Sequence, residues 1–324
     1  METERRNKLK INVKVMDTTN VSREQWLNKR REFIGGSDAA TCVDMNPWSD
    51  KLTLWCDKKG LLPEKEDNFA MRMGRELEDL VAKFFMEKTG KKVRNDNSVW
   101  VSKEYPYIGA DVDRTIVGEN AALECKTISA FSKYDLEGGE IPQQYYCQCQ
   151  HYMYVMGYDY MYIAFIQFGK GFFYKKIDRN DEDIKALVEA EKEFWLNNVE
   201  ADVKPEVDGS ESSMDTMRTL YPQDTGMSVI LKDSDDDILH QIKDLQAAEK
   251  RLKAQEEELK AKICGELEDY TTGSTDNYIV TWKAQKRTSI DSKMLKTNFP
   301  DVFEKVKKET TSRVMRIKED KKND

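Results

Sequence analysis

From Phe69 to Phe85 the apolar side chains return every three or four positions. Phe69, Met73, Leu77, Leu80, Val81, Phe84 and Phe85 share one face, which predicts a helix over 68–89 that Gly90 stops. Residues 143–156 keep the same period, and a further helix is expected near 181–198. Between these stretches the pattern is strand-like. Residues 98–102, 114–117 and 121–125 read as short strands, and 160–167 with 172–177 as a hairpin around Gly169-Lys170-Gly171. Upstream, 22–33 reads as a helix whose start carries a capping box, Ser22 with Gln25. Gly35-Gly36-Ser37-Asp38 is a tight turn opening a second short helix, and Ser49 is placed to cap a third that ends near Gly60.

The pattern weakens after residue 200. Residues 201–230 are polar, with Pro205, Gly209, Pro222 and Gly226, and read as a linker. Residues 234–268 predict one long helix in which Ile238, Leu245, Leu252 and Leu259 recur every seventh position. The companion stripe holds Ile242 and Ile263 but also Glu249 and Glu256, which favours a helical hairpin or a partner surface over a long symmetric coiled coil. A turn and strand over 273–282, two short helices flanking Pro300 and a last strand at 313–317 complete the expectation. The domains expected are therefore 1–200, a linker at 201–230, and an extension at 231–324. The fold class is α+β: a mixed central sheet flanked by helices, with a helical and small α+β extension.

Composition changes this picture in one respect. The net charge of −8 hides an asymmetry. Residues 1–180 carry 28 Lys and Arg against 27 Asp and Glu, residues 181–280 carry 11 against 26, and residues 281–324 carry 13 against 7. An acidic average therefore does not exclude nucleic acid as a partner. No apolar run is long enough for a membrane span. The basic stretch Arg5, Arg6, Lys8 and Lys10 lacks the apolar segment of a secretory signal. The six cysteines have no zinc-type spacing, which predicts free thiols in a reducing cytosol.

The chemistry centres on Asp113 and Glu124-Cys125-Lys126, brought together by a turn at Gly118-Glu119-Asn120. Glu124 and Lys126 point to the same face of a strand. Two carboxylates and the Cys125 carbonyl suit a hard divalent cation, and the lysine can reach a phosphate or an attacking water. Glu78 lies about 20° from Phe85 on the helical wheel, at the edge of the apolar face. An acid there needs a metal or a cation, with Arg75 and Lys126 as candidates. Tyr145 and Gln148 share a face of the 143–156 helix, whereas His151 reads as a packed or partner-bonded residue rather than a base. Arg30 and Ser37 bracket the glycine turn, where a helix start makes an anion cradle.

As a set, Trp26-x3-Arg30-x3-Ile34-Gly35-Gly36-Ser37, Gly74-x3-Glu78, Asp113 with Glu124-Cys125-Lys126, and Tyr145-x2-Gln148-x-Gln150-His151 resemble the bacteriophage lambda exonuclease family, the YqaJ-like viral recombinases of the PD-(D/E)xK nuclease superfamily. Lys283 to Ile317 also looks like the C-terminal extension of some members. The resemblance implies a restriction-endonuclease-like core and a Mg²⁺-dependent exonuclease, with Mn²⁺ as a substitute and two ions bound. It would digest one strand of linear double-stranded DNA 5′→3′ and leave 3′ overhangs. Asp113, Glu124 and the Cys125 carbonyl would hold metal, Glu78 would lie near a second ion, Lys126 would activate water and Gln148 would orient it. Arg30 and Ser37 would receive the 5′-phosphate, with Asp111 and Tyr145 beside the DNA.

The resemblance further implies a ring trimer, a single-strand annealing recombinase as partner, and a phage or prophage protein in the bacterial cytoplasm. Two positions depart from the family. Val112 stands where a proline is common, and Asp111 stands where the lambda enzyme has a phosphate-binding serine, which makes Asp111 a rival of Asp113 as ligand. The competing readings are another PD-(D/E)xK endonuclease and a non-catalytic DNA-binding or assembly protein on the same fold.

Overall fold

A computed structural model describes residues 11–64 and 68–318, so the basic stretch Arg5 to Lys10 lies outside the described residues. One compact unit runs up to Leu220 and a second begins at Tyr221.

The chain opens with β1 (Asn12–Asp17) and then three short helices, α1 (Arg23–Arg30), α2 (Gly36–Cys42) and α3 (Lys51–Lys58). The capping box on α1 forms as expected, with Ser22 Oγ accepting from Gln25 N and Gln25 Oε1 from Ser22 N. The cap of α3 is Asp50 rather than Ser49: its carboxylate accepts from Thr53 N at 3.0 Å and from Thr53 Oγ1 at 2.8 Å. Helix α4 (Phe69–Thr89) starts at Asn68 and ends at Gly90, whose φ of 71° is left-handed. Its Phe69 end is solvent-exposed, and burial is confined to the later turns around Val81, Ala82 and Phe85.

Four short strands follow, β2 (Val93–Asn95), β3 (Ser98–Ser102), β4 (Gly109–Asp111) and β5 (Arg114–Ile116), and then β6 (Ala121–Ile128), helix α5 (Gln143–Met156), β7 (Tyr160–Gln167) and β8 (Gly171–Asp178). The main sheet has the order β2-β5-β6-β7-β8, with β6 and β7 parallel and the other pairs antiparallel. This is the expected mixed sheet, and helices cover both faces. The period of two in β6 divides its side chains between them. Ala121, Leu123 and Cys125 face α4 with Val81 and Phe85. Ala122 and Ile128 pack with Cys149, Tyr152 and Met153 of α5. Glu124 and Lys126 fall on this second face, among the apolar side chains beneath α5.

A second sheet, β1-β3-β4, carries the chain to Asp111. The chain then crosses from β4 to β5 through Val112 and Asp113 only, so Asp113 sits at the join between two sheets. Ile34 N donates to the Tyr107 carbonyl at 2.7 Å and Gly109 N to the Ile34 carbonyl at 2.9 Å, which fixes the start of α2 against β4.

Helix α6 (Asp181–Phe194) passes into one π-helical turn, Trp195–Glu200. The stretch expected as a linker contains α7 (Glu211–Leu220), held on α3 by the buried Thr53–Thr216 hydroxyl pair at 2.8 Å. Its apolar face is short, with Met217 and Leu220 packed against the cluster around Leu52 and Trp55, and its buried Ser213 and Thr216 are polar, so the pattern is too brief to mark a helix.

In the second unit, α8 (Asp235–Leu267) is followed by the hairpin of β9 (Thr272–Ser274) and β10 (Ile279–Thr281), then α9 (Ser292–Asn298) and α10 (Pro300–Val306). The seven-residue stripe Ile238, Leu245, Leu252 and Leu259 is exposed. The strand expected at 313–317 does not form, and Val314 and Met315 are exposed. An alternating run with no sheet edge to pair with has nothing to hold it extended. Among the described residues no helix is long and apolar enough to cross a membrane, and all six cysteines are free of disulfides.

Candidate active site

Glu124 is 2% exposed. Its Oε1 accepts from Lys126 Nζ at 2.6 Å and from Gln148 Nε2 at 2.7 Å. Its Oε2 is buried with no partner among the described residues. Gln148 Nε2 also lies 3.2 Å from the Tyr152 hydroxyl, one helical turn further along α5. The Lys126 ammonium stands 5.2 Å from the centre of the Tyr145 ring. Asp113 Oδ2 accepts from Cys125 N at 2.8 Å. The N–H and C=O of a strand residue face the same edge, so the Cys125 carbonyl is also directed to the side where Asp113 lies.

The electrostatics of this cluster are unusual. Burial and the neighbouring Glu124 charge push the Asp113 carboxyl well above the usual range. Burial raises Glu124 as well, against the pull of Lys126. Burial works against the Lys126 charge, but Glu124 and Asp113 outweigh it and keep the ammonium above its ordinary value. A buried and a half-buried acid thus face a single lysine, and one carboxylate oxygen of Glu124 lacks a donor. A cation would relieve both conditions.

Glu78 comes from α4 on the other face. It pairs with Arg114 Nη1, while Arg114 Nη2 reaches Asp79 at 2.6 Å. Arg114 Nη1 also donates to the Asp113 carbonyl at 2.7 Å. The cation for the acid at the helix edge is therefore Arg114, not Arg75 or Lys126. Among the described residues no three His, Cys, Asp or Glu side chains form a metal cage. The geometry offers two carboxylates and a backbone carbonyl.

Asp111 is engaged by α1, and its charge also acts on Glu124. Its Oδ2 accepts from the Trp26 indole at 2.9 Å, and burial raises its carboxyl. Arg30 stacks on Trp26 at 5.0 Å and donates to Ser37 Oγ at 2.6 Å and to Asp38 at 3.3 Å. Asp38 is held down to about 2, because Lys58 and Arg30 more than offset its burial. The fully buried Lys58 ammonium reaches Asp38 at 2.7 Å and the Arg30 carbonyl at 2.9 Å. Arg30, Ser37 and Asp111 therefore form a second cluster at the start of α2. His151 is packed, pairing with Glu191 Oε1 and with the Gly109 carbonyl, each at 2.7 Å.

The YqaJ-like viral recombinase domain matches residues 25–159. The YqaJ protein of Bacillus subtilis (strain 168), described as uncharacterized, is 40% identical over 303 residues, spanning 92% of this chain and 95% of the relative. The chain belongs to the YqaJ family. Two solved structures are partly alike. An alkaline exonuclease from Laribacter hongkongensis has 20% identity and a TM-score of 0.45, over 56% of this chain and 94% of that one. A phage related exonuclease from Haemophilus somnus 129PT has 15% identity and a TM-score of 0.37, over 54% and 95%.

The YqaJ family segment contains both clusters, and with them residues that sequence reasoning passed over. Arg114, Tyr152, Asp38 and Lys58 are the charge and hydroxyl partners that hold the expected residues. Tyr152 was readable as the i+4 neighbour of Gln148, and Asp38 as the third residue after Gly35. Gly36 has a role of its own. A Cβ built there would lie 2.4 Å from the Tyr152 ring and 3.0 Å from Gln148 Cγ. Gly36→Ala should therefore cost about 1–3 kcal/mol by overpacking and lower the activity of the folded protein by displacing Gln148. A thermal melt and a rate measured on the same sample test this; wild-type values in both would refute it.

Proposed function

We propose that the chain is a metal-dependent deoxyribonuclease that degrades one strand of linear duplex DNA from its end, 5′→3′, leaving 3′ overhangs for strand annealing. The observation that carries this reading is the buried Glu124, gripped by Lys126 and Gln148 through one oxygen and unpartnered at the other, beside the strained charge of Asp113. Asp113, Glu124 and the Cys125 carbonyl fit Mg²⁺, which takes oxygen ligands and keeps several waters; Mn²⁺ would substitute. When bound, the cation polarises the phosphate and acidifies water. Lys126 holds a positive charge where the phosphate charge develops and positions the attacking water. Gln148 fixes the orientation of Glu124 and borders the water site. Arg30 and Ser37, beside the start of α2, receive the phosphate of the 5′ end, and Tyr145, next to Lys126, contacts the DNA. A single ion is the simplest occupancy, because a second ion near Glu78 requires Arg114 to release it.

The family resemblance supports a ring trimer, an annealing recombinase as partner, and a phage or prophage origin in the bacterial cytoplasm. We place the nuclease in residues 1–200, with α8 and the basic tail as an extension. Deleting 230–324 should lower processivity or oligomeric mass while leaving metal-dependent nucleotide release intact. Full processivity at unchanged mass would remove any such role.

The test is a time course on linear duplex labelled at either end, with and without 5′-phosphate, beside a closed circle. Release of mononucleotides from the 5′ label first, with the circle spared, is expected. Equal cutting of the circle points to an endonuclease, and no release in Mg²⁺ or Mn²⁺ removes the reading. Metal binding can be read separately. Mg²⁺ at a hundred times its Kd should raise the melting temperature by roughly 5–10 °C. Asp113→Asn should melt higher than wild type in chelator, since it removes a half-buried charge facing Glu124, and should lose the Mg²⁺ shift.

A further inference from the structure

A cleft of about 310 Å³ opens beside Tyr145, between the loop after α2 and the loop joining β6 to α5. Met45 and Pro47 line one wall, and Tyr134, Ile141, Pro142 and Gln144 the other. That volume is near the lower bound for pockets that enclose small ligands. Both loops are tied down. Met45 N donates to the Ala40 carbonyl at 2.8 Å, Asn46 Nδ2 to Thr41 Oγ1 at 2.9 Å, and Glu140 N to the Asp135 carbonyl at 2.9 Å.

Two observations mark the cleft as more than a gap in packing. Gln144 is 6% exposed, yet its Nε2 has no hydrogen-bond partner among the described residues. Buried amides are rarely left without an acceptor, and this one lines the cleft. Trp48, next to Pro47, is 61% exposed, with its ring centre 6.2 Å from that of Tyr145. Tyr145 in turn stands 5.2 Å from the Lys126 ammonium. Trp48 and Tyr145 directly follow the lining residues Pro47 and Gln144 in the chain, so an exposed indole and a tyrosine stand at the rim between the cleft and Lys126.

We propose that this cleft takes the nucleobase of the terminal nucleotide, which stacks on Trp48 and Tyr145 and accepts a hydrogen bond from Gln144. The chemistry fits a base in particular. Its π-face stacks on an aromatic ring whatever its identity, and its ring nitrogens and carbonyl oxygens accept from an amide. Met45, Pro47 and Ile141 suit a flat, weakly hydrated ring, and Glu140 and Gln143 also line the cleft, the Glu140 carboxylate disfavouring a phosphate there. Trp48 and Gln144 are positioning residues that hold the nucleotide while its phosphate lies by Lys126. The proposal rests on the nuclease reading for the identity of the nucleotide.

The test compares dAMP and dTMP with 2-deoxyribose 5-phosphate in Mg²⁺, by calorimetry and by tryptophan fluorescence. The nucleotides should bind at least about tenfold more tightly than the sugar phosphate, the scale of one base stacked on an aromatic side chain, and should quench fluorescence. Trp48→Ala changes an exposed residue and should abolish the site-specific quench and most of the preference. Gln144→Leu and Ile141→Trp, which remove the donor and fill the cleft, should also collapse it. Equal binding of nucleotide and sugar phosphate, no binding of either, or a preference that survives all three variants would overturn the proposal. Digestion of linear duplex by the same wild-type sample separates the two readings. Digestion without a base preference refutes the cleft assignment alone, and a base preference without digestion refutes the nuclease alone.

Discussion

Glu124→Ala should slow the release of nucleotides from linear duplex DNA by at least ~10²-fold, the scale of removing one electrostatic stabiliser. Three effects act together. The variant loses the carboxylate proposed to hold metal, leaves Lys126 Nζ and Gln148 Nε2 without their shared acceptor, and removes the negative charge that holds Lys126 protonated against its burial. Lys126→Ala should lose a comparable factor, because the phosphate then lacks its nearby cation. The two effects should not add: residues acting as one unit fail together, so the double variant should lie within a few fold of the slower single one. Glu124→Gln keeps the volume and isolates the charge. Rates should be taken in single turnover at saturating Mg²⁺, with melts to show that each variant is folded. If a folded Glu124→Ala or Lys126→Ala protein digests DNA at the wild-type rate, the catalytic assignment fails.

The sequence made this cluster legible because strand and helix periods place side chains without knowledge of the fold. The strand β7 and the helix α5 have the bounds their patterns predict. Once β6 is a strand, Glu124 and Lys126 must share a face, and α5 is long enough to bring Gln148 over them. What escaped is what period cannot encode. The strands β1, β2 and β4 were missed: β1 is largely exposed, and β2 and β4 have three residues each, too few for an alternation. The partner of Glu78 was missed because Arg114 reads as the start of a strand, and only the sheet's position against α4 shows that its guanidinium reaches the helix. Asp111 reads as a rival to Asp113 because an acid where the lambda enzyme has a phosphate-binding serine would repel a phosphate unless it bound metal. The crossing from β4 to β5 falls between the two acids, so Asp111 bonds the Trp26 indole and Asp113 bonds Cys125 N, while both charges act on Glu124 and Tyr152. Clusters that depend on where two sheets meet are not written in any local window.

The same junction should fail when its buried ion pair is broken. Glu191→Gln is expected to destabilise the protein by about 3–5 kcal/mol, as removal of one partner from a buried pair does, and to lower Tm by roughly 6–20 °C for a unit of this size. Both residues are fully buried. The His151 ring pairs through both nitrogens, Nδ1 with the Glu191 carboxyl and Nε2 with the Gly109 carbonyl, which favours its charged form. Burial opposes that charge, and Glu191 and the Gly109 carbonyl outweigh it, raising His151 above its usual value of 6.5. A histidine with a raised pKa contributes stability that is complete below 6.5 and is lost as pH climbs through its folded value. The wild-type melt should therefore fall on the alkaline side, and the difference from Glu191→Gln should be largest below 6.5 and narrow above. His151→Leu with Glu191→Leu removes both charges and should recover most of the loss. The consequence reaches the site, because His151 ties α5, which carries Gln148, to Gly109 of β4, just before the chain turns through Asp111 and Asp113. A Glu191→Gln protein that melts like wild type below pH 6.5, or a double variant as unstable as the single one, would show that packing, not the ion pair, holds the two elements together.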